Sequence, residues 1–213
     1  MNRKPIANNW DEMTFDIWLE EQEILMDQET DAVDKNVRLV ALMYDMSEED
    51  AYNEELNSFS NLLDGIGWLG KNPDIPEVAP AYNINGRTYI VNLNPQKVTT
   101  AQYIDFKGID INQPSNIPDA LSVIMVPSGH TYNDGYDMDQ VKKDIYECLR
   151  IPHALAITRF FFQQYKRLTL NSLQSLSQML KKEARRTKDR EKRNKIKIQI
   201  EKTEEMIRMF GSL

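Results

Sequence analysis

The chain has 213 residues, 41% hydrophobic and 28% charged, with a net charge of −7 and one cysteine, Cys148. That length can bury a core without staples, and a single cysteine excludes an internal disulfide framework and reads as a small buried apolar residue. No apolar run approaches the roughly 20 residues that cross a bilayer, and Arg3 and Lys4 are not followed by the apolar stretch of a secretory signal, so the expected setting is the cytoplasm of a host cell or a particle assembled there, with no membrane partner.

Residues 1–9 read as a flexible arm. From Asp11 the pattern is helical: Phe15, Trp18, Leu19, Gln22, Leu25 and Met26 recur at helix spacing, with Thr14 or Asp11 as cap. A second helix is expected over 31–44, with Val33, Val37, Val40, Ala41 and Tyr44 on one face. A third opens at Ser47, whose capping box carries Asp50 in place of the usual Glu or Gln. Its stripe runs through Ala51, Leu56, Phe59, Leu62 and Leu63 to a stop near Gly65 or Gly67. Residues 65–80, rich in Gly and Pro, predict a connecting loop.

The local pattern then changes. Tyr82 to Val91 alternates around Asn85-Gly86, the dipeptide that suits a type I′ turn, and predicts a hairpin over 80–84 and 87–92 that helices must cover. Thr99 or Thr100 should cap a short helix, 101–107, ended by Gly108. Residues 112–118 read as a loop, and Pro118 suits the first turn of a helix with Leu121, Ile124 and Met125 inward. The run 121–126 fits a buried strand equally well. After a polar turn over 128–135, Met138, Val141, Ile145 and Leu149 form a helical stripe. Pro152 then starts a helix apolar nearly all round, through Ala154, Leu155, Ile157, Phe160, Phe161, Phe162, Tyr165 and Leu168, which is expected to be the central core helix. Phe160, Phe161, Phe162, Trp18 and Trp68 are assigned to the core. An interruption is expected over 169–172. Leu173, Leu176, Leu180 and Ala184 follow as a narrow, coiled-coil-like stripe, and Ile196, Ile200, Thr203, Ile207 and Phe210 as another.

The elements predict a mainly α protein with a small β-hairpin (α+β). An acidic helical region spans 1–64, a connecting loop 65–80, a central body with hairpin and core helices 81–170, and a basic helical extension, one long helix or a helical hairpin, 171–213.

Motifs of chemistry are missing. His130 and His153 stand in unrelated contexts, and neither His-x-x-x-His nor Cys-x-x-Cys occurs. No glycine-rich phosphate loop and no Gly-x-Ser-x-Gly elbow is present. Asn133, Asp137 and Asp139 alternate as calcium ligands do, but an EF-hand loop counted from Asn133 puts Met138 where Gly belongs and Asp144 where Glu belongs. That segment reads as a turn followed by an Asp cap. The acids of the first 64 residues read as a solvated helix face. The expectation is a non-enzymatic protein with no catalytic residues, no metal and no cofactor.

Charge is the informative feature. Between Asp11 and Asp64, Lys35 and Arg38 are the only cations. Between Lys181 and Lys197, ten cations face only Glu183, Asp189 and Glu191. Lys181, Lys182, Arg185, Arg186, Arg190 and Arg193 are the expected partner-contacting residues. Three readings stand: an acidic protein surface, including this chain's own N-terminal helices in cis or in a neighbouring subunit; nucleic acid, through counterion release, although no aromatic is interleaved for base stacking; or a solvated helix with no partner. Homo-oligomerisation is open.

Residues 82–180 carry a resemblance in the order of their segments: Tyr89-Ile-Val-Asn-Leu-Asn after the Asn-Gly turn, Thr99-Thr-Ala-Gln-Tyr-Ile-Asp-Phe, Leu121-Ser-Val-Ile-Met-Val-Pro-Ser-Gly, a tyrosine-rich loop, and a helix leading into Pro152-His-Ala-Leu-Ala-Ile-Thr-Arg-Phe-Phe-Phe. This succession resembles small morphogenesis proteins of tailed bacteriophages, notably tail assembly chaperones. The acidic front and basic tail fall outside it. The resemblance implies a mostly helical protein that keeps the apolar tape-measure protein soluble while the tail tube grows. A structural virion component, such as a connector, a tail protein or a packaged internal protein, is the alternative. No catalytic residue comes with that family.

Overall fold

In the computed structural model, residues 3–94, 97–111 and 113–212 are described, the side chains of 168 and 209–212 excepted. Met1 and Asn2 of the expected arm, Asn112 of the expected loop, the Leu168 and Phe210 side chains of the expected stripes and residue 213 lie outside them. The chain divides into two compact units, Met1–Thr158 and Arg159–Leu213. It is mainly helical with one small antiparallel sheet.

The first unit opens with a segment that is docked rather than free. Ile6 N–H donates to the Met43 carbonyl at 2.8 Å, Asn8 N–H to the Glu12 carboxylate at 2.9 Å, and Ala7 is fully buried. The sequence gives no sign of this, because Met43 is the distant partner. Helix α1 (Phe15–Met26) follows Thr14. Its buried face is Phe15, Trp18, Glu21 and Ile24, whereas Leu25 and Met26 are exposed. The expected stripe therefore reads the wrong face after Trp18, since the inward position between Trp18 and Ile24 holds a carboxylate. Helix α2 (Ala32–Met43) is capped by Asp31, whose side chain accepts from Val33 N–H and Asp34 N–H. Val37, Val40, Ala41 and Tyr44 are buried as expected, but Val33 is 65% exposed.

The expected third helix is two. Ser47 Oγ accepts from Asp50 N–H to start α3 (Glu48–Tyr52), and α4 (Leu56–Gly65) starts separately after Glu55. Leu56, assigned to the stripe, is 83% exposed, and α4 buries no residue fully. The loop after it contains a 3-10 turn, Gly67–Gly70, held to the front by an edge-on Trp10–Trp68 pair with ring centroids 5.1 Å apart. Trp10 Nε1 also donates to the Lys71 carbonyl at 2.7 Å.

Strands β1 (Ala81–Ile84) and β2 (Arg87–Val91) form the expected hairpin, with Asn85 and Gly86 at φ 50° and 72° as a type I′ turn requires. A third strand, β3 (Met125–Pro127), pairs with β2, so the sheet runs β1-β2-β3. Alternation places Tyr82, Ile84, Tyr89 and Val91 on the covered face. Helix α5 (Thr100–Lys107) carries a full capping box between Thr99 and Gln102. Helix α6 (Ile117–Ile124) runs directly into β3, so the ambiguous run 121–126 is helix first and strand after. Helix α7 (Met138–Cys148) is capped by Asp137 and buries Val141, Asp144 and Ile145. Cys148 is half-buried, not buried as expected; burial first, and the nearby Asp144 and Glu147 carboxylates after it, push its thiol pKa up.

Helix α8 (Ile151–Arg186) is continuous; the interruption expected over 169–172 does not occur. Its buried residues in the first unit are Ile151, Pro152, Ala154, Ala156 and Ile157. Phe160 and Phe161 are half-buried and Phe162 is 42% exposed, so the expected core position of this aromatic run is not observed; Trp18 is buried and Trp68 only half-buried. The second unit is completed by α9 (Arg190–Ser212). Gln174, Ser177, Gln178 and Lys181 of α8 line one groove with Glu204, Ile207 and Arg208 of α9, which makes the pair an antiparallel helical hairpin.

Candidate functional site: the connection of the helical hairpin

The hairpin is held by a thin seam. Among the described residues Ser177, Leu180, Ile196 and Thr203 are its buried ones, Ser177 and Thr203 being polar. Thr203 Oγ1 satisfies itself by donating to the Gln199 carbonyl at 2.8 Å. Lys181 Nζ meets Glu204 Oε1 at 2.7 Å across the two helices, and this bond holds the Glu204 carboxyl below its ordinary range. Asp189 in the connection accepts from Glu191 N–H and Lys192 N–H and starts α9.

All six residues singled out from the sequence fall around this connection. Lys181, Lys182, Arg185 and Arg186 end α8; Arg190 and Arg193 open α9; Lys188 lies between, and every one of them is exposed. Lys181 pairs with Glu204 and Lys195 with Glu191; Lys182, Arg185, Arg186, Arg190 and Arg193 have no ion partner among the described residues.

The arrangement opposes the helices' own stability. Lys181 with Arg185, Lys182 with Arg186, and Arg193 with Lys197 are like-charge neighbours one turn apart, each unfavourable by roughly 0.2–0.5 kcal/mol. Arg190, Lys192 and Arg193 sit in the first turn of α9, at the positive end of its dipole, where anions are favoured. Only Arg185 and Arg186, in the last turn of α8, have a helix-dipole rationale. A surface built this way gains free energy when an anionic partner covers it.

A second constellation lies in the first unit. The buried Asp144 carboxylate accepts from Tyr89 OH at 2.5 Å, Arg87 Nη1 at 2.7 Å, Gln140 Nε2 at 2.8 Å and Asn85 Nδ2 at 3.0 Å. Burial alone would raise its pKa, but these four donors hold it down at about 2. Burial and the facing carboxylate push the Tyr89 phenol up to about 12. Every acceptor position is occupied by a structural donor, so the cluster ties the hairpin to α7 and leaves no group free for proton transfer. Sequence reasoning met Asp144 only as a failed calcium ligand. The signal that could have found it is its place one turn after Gln140 and between Val141 and Ile145, on the inward face of a helix.

Asp137, the other acid weighed for calcium, is used as the cap of α7, accepting from Asp139 N–H and Gln140 N–H. Among the described residues no group of three or more His, Cys, Asp or Glu converges as a metal site, and no helix is long and apolar enough to cross a membrane. Compared with protein-family models, with curated proteins and with solved structures, the chain matches none.

Proposed function

We propose that this is a non-enzymatic assembly protein that works by binding other proteins, with the basic hairpin connection as its contact surface for an acidic partner. The observation that carries the reading is the concentration of exposed cations from Lys181 to Lys197, arranged in like-charge pairs that cost the helices stability and, Lys181 and Lys195 apart, without ion partners among the described residues. The absence of any aromatic residue in 181–197 favours a protein over a single-stranded nucleic acid. The net charge of −7 also repels a polyanion from the rest of the chain.

The narrower proposal, carried by the resemblance of residues 82–180, is a tail assembly chaperone-like factor of a tailed phage acting on the tape-measure protein. Exposed methionines, Met26, Met179 and Met206, supply adaptable apolar contacts for such a client. A structural virion protein that locks into its neighbours through the α8–α9 hairpin is the second reading, favoured by the length of those helices.

The test is co-expression with a tape-measure fragment from the same phage. Soluble co-elution that is lost on replacing Arg185, Arg186, Arg190 and Arg193 with Ala supports the chaperone reading. No co-elution, with the protein instead present in stoichiometric copies in purified particles, decides for the virion reading. Tight binding to duplex DNA at physiological salt, with no protein partner, overturns both.

A further inference from the structure

The chain carries its own complement to the basic hairpin. In α1–α4 the only two cations are already engaged: Lys35 Nζ donates to the Leu25 carbonyl at 3.0 Å, and Arg38 reaches Asp27 at 3.0 Å and Glu48 at 3.6 Å. None of the four helices has a basic residue of its own in its last turn, and Lys35 from α2 meets the negative end of α1. An open groove between α2 and α3 is lined by Asp34, Val37, Arg38, Glu48, Glu49 and Tyr52, among others. Asp34, Glu48 and Glu49 are exposed there, and Tyr52 is 71% exposed. Val33 and Leu56 add exposed apolar surface on neighbouring turns. Carboxylates beside an open tyrosine ring suit guanidinium groups, which bond the first in a fork and stack on the second. The hairpin brings four arginines, with Met179 and Ile198 exposed on its helices for the apolar part.

We propose that the occupant of this groove is the basic hairpin connection of a second copy of the chain. The proposal rests on the reading that the connection is a protein-binding surface, and it names the partner. A second copy is preferred because the match in charge, in arginine against carboxylate and tyrosine, and in exposed apolar side chains is present in this sequence. Each copy bears one donor and one acceptor surface on different elements, so the contact closes as a reciprocal two-fold dimer or a larger ring, or runs on as an open chain.

Sedimentation velocity on the full chain, across concentration and from ~0.05 to ~0.5 M salt, tests it. Average mass rises with concentration at low salt and falls to that of the monomer at high salt. Two charge-reversed variants sharpen the test. One carries Arg185→Glu, Arg186→Glu, Arg190→Glu and Arg193→Glu; the other carries Asp34→Lys and Glu49→Lys. Each alone associates more weakly, on the order of tenfold or more. Mixed, they restore association, because native connection meets native groove and reversed meets reversed. Circular dichroism checks that both remain helical, and a milder Arg→Gln set at the same four positions replaces the first variant if it does not. A chain that is monomeric at every concentration overturns the proposal, and so does self-association indifferent to salt and to both variants. A reversal that changes the shape of a monomer but never its mass also overturns it, in favour of binding within one chain. If the chain is monomeric yet the arginine variant still loses the tape-measure fragment, only the second-copy partner falls; if that binding is also unaffected, the reading of the connection as a binding surface falls with it.

Discussion

The phenol of Tyr89 donates a 2.5 Å hydrogen bond to the carboxylate of Asp144, tying the central strand of the sheet to α7. Both side chains are buried, and the same carboxylate holds Asn85 of the hairpin turn and Arg87 beside it. A two-stranded hairpin alone is marginal, and β3 and this tie to α7 both hold it.

Asp144→Ala leaves the Tyr89 hydroxyl buried without an acceptor and Arg87 without its counter-ion. We expect a loss of about 3 kcal/mol in urea unfolding, chiefly from the buried Tyr89 hydroxyl left without its acceptor and from the hydrogen bonds lost to a buried carboxylate, Arg87 itself being half exposed. The folded pKa lies at about 2, below the ordinary 3.8. Stability from this group is therefore present above pH ~4 and lost as pH falls toward ~2, by about 2 kcal/mol in all. Unfolding curves over that window should fall less steeply for Asp144→Asn than for the parent chain.

Glu21 behaves in the opposite sense. It is 1% exposed in the buried face of α1, and burial raises its pKa above the ordinary 4.5, against a single hydrogen bond from Gln22. Its contribution is fully present below pH ~4.5 and is lost as pH rises through the raised value. Glu21→Gln removes the cost of ionising a buried carboxylate and should stabilise the protein by about 1 kcal/mol at neutral pH, with little effect at pH 4. Equal stabilisation at both values would show that charge is not the cause.

Gly65 ends α4 against the Tyr44 hydroxyl, which donates to the Leu62 carbonyl at 3.0 Å. A methyl group at position 65 would clash with that hydroxyl. Gly65→Ala should cost about 1–3 kcal/mol, as overpacking does, and Tyr44→Phe in the same chain should relieve part of it. A double-mutant cycle of melting measurements checks the coupling.

Thr99 and Gln102 bond each other's backbone at the start of α5, and Gln102 Nε2 also reaches the Val123 carbonyl at 3.0 Å. Thr99→Ala should cost about 1 kcal/mol through the cap alone. Gln102→Ala should cost more, because it also leaves a carbonyl of α6 without its donor. Hydrogen exchange resolved by residue would show the first change confined to α5 and the second spreading to α6.

The sequence by itself determined what depends on neighbours a few residues apart. Caps at Ser47 and Thr99, the Asn85-Gly86 turn and the helical stretches on either side of the sheet act through backbone bonds spanning two to four residues, so their residue types predict them. The segregation of charge into an acidic front and a basic tail is likewise a property of the linear chain. Only the tertiary structure decided which faces are covered. Glu21 lies on an inward position that a count of apolar residues skips, and Val33 and Leu56 face outward although their periodicity points in. It also decided the pairing of β3 with β2, the docking of Ile6 on Met43, and the convergence of Asn85, Arg87, Tyr89 and Gln140 on Asp144. The continuous run of α8 through 169–172 has another reason: single Thr, Asn and Ser residues cost a long helix only roughly a few tenths of a kcal/mol each, against its cooperative propagation. Finally, the antiparallel return of α9 gathered the six cations read from the sequence at one end of a hairpin. A linear charge run gives their number, but their convergence depends on contacts between residues far apart along the chain.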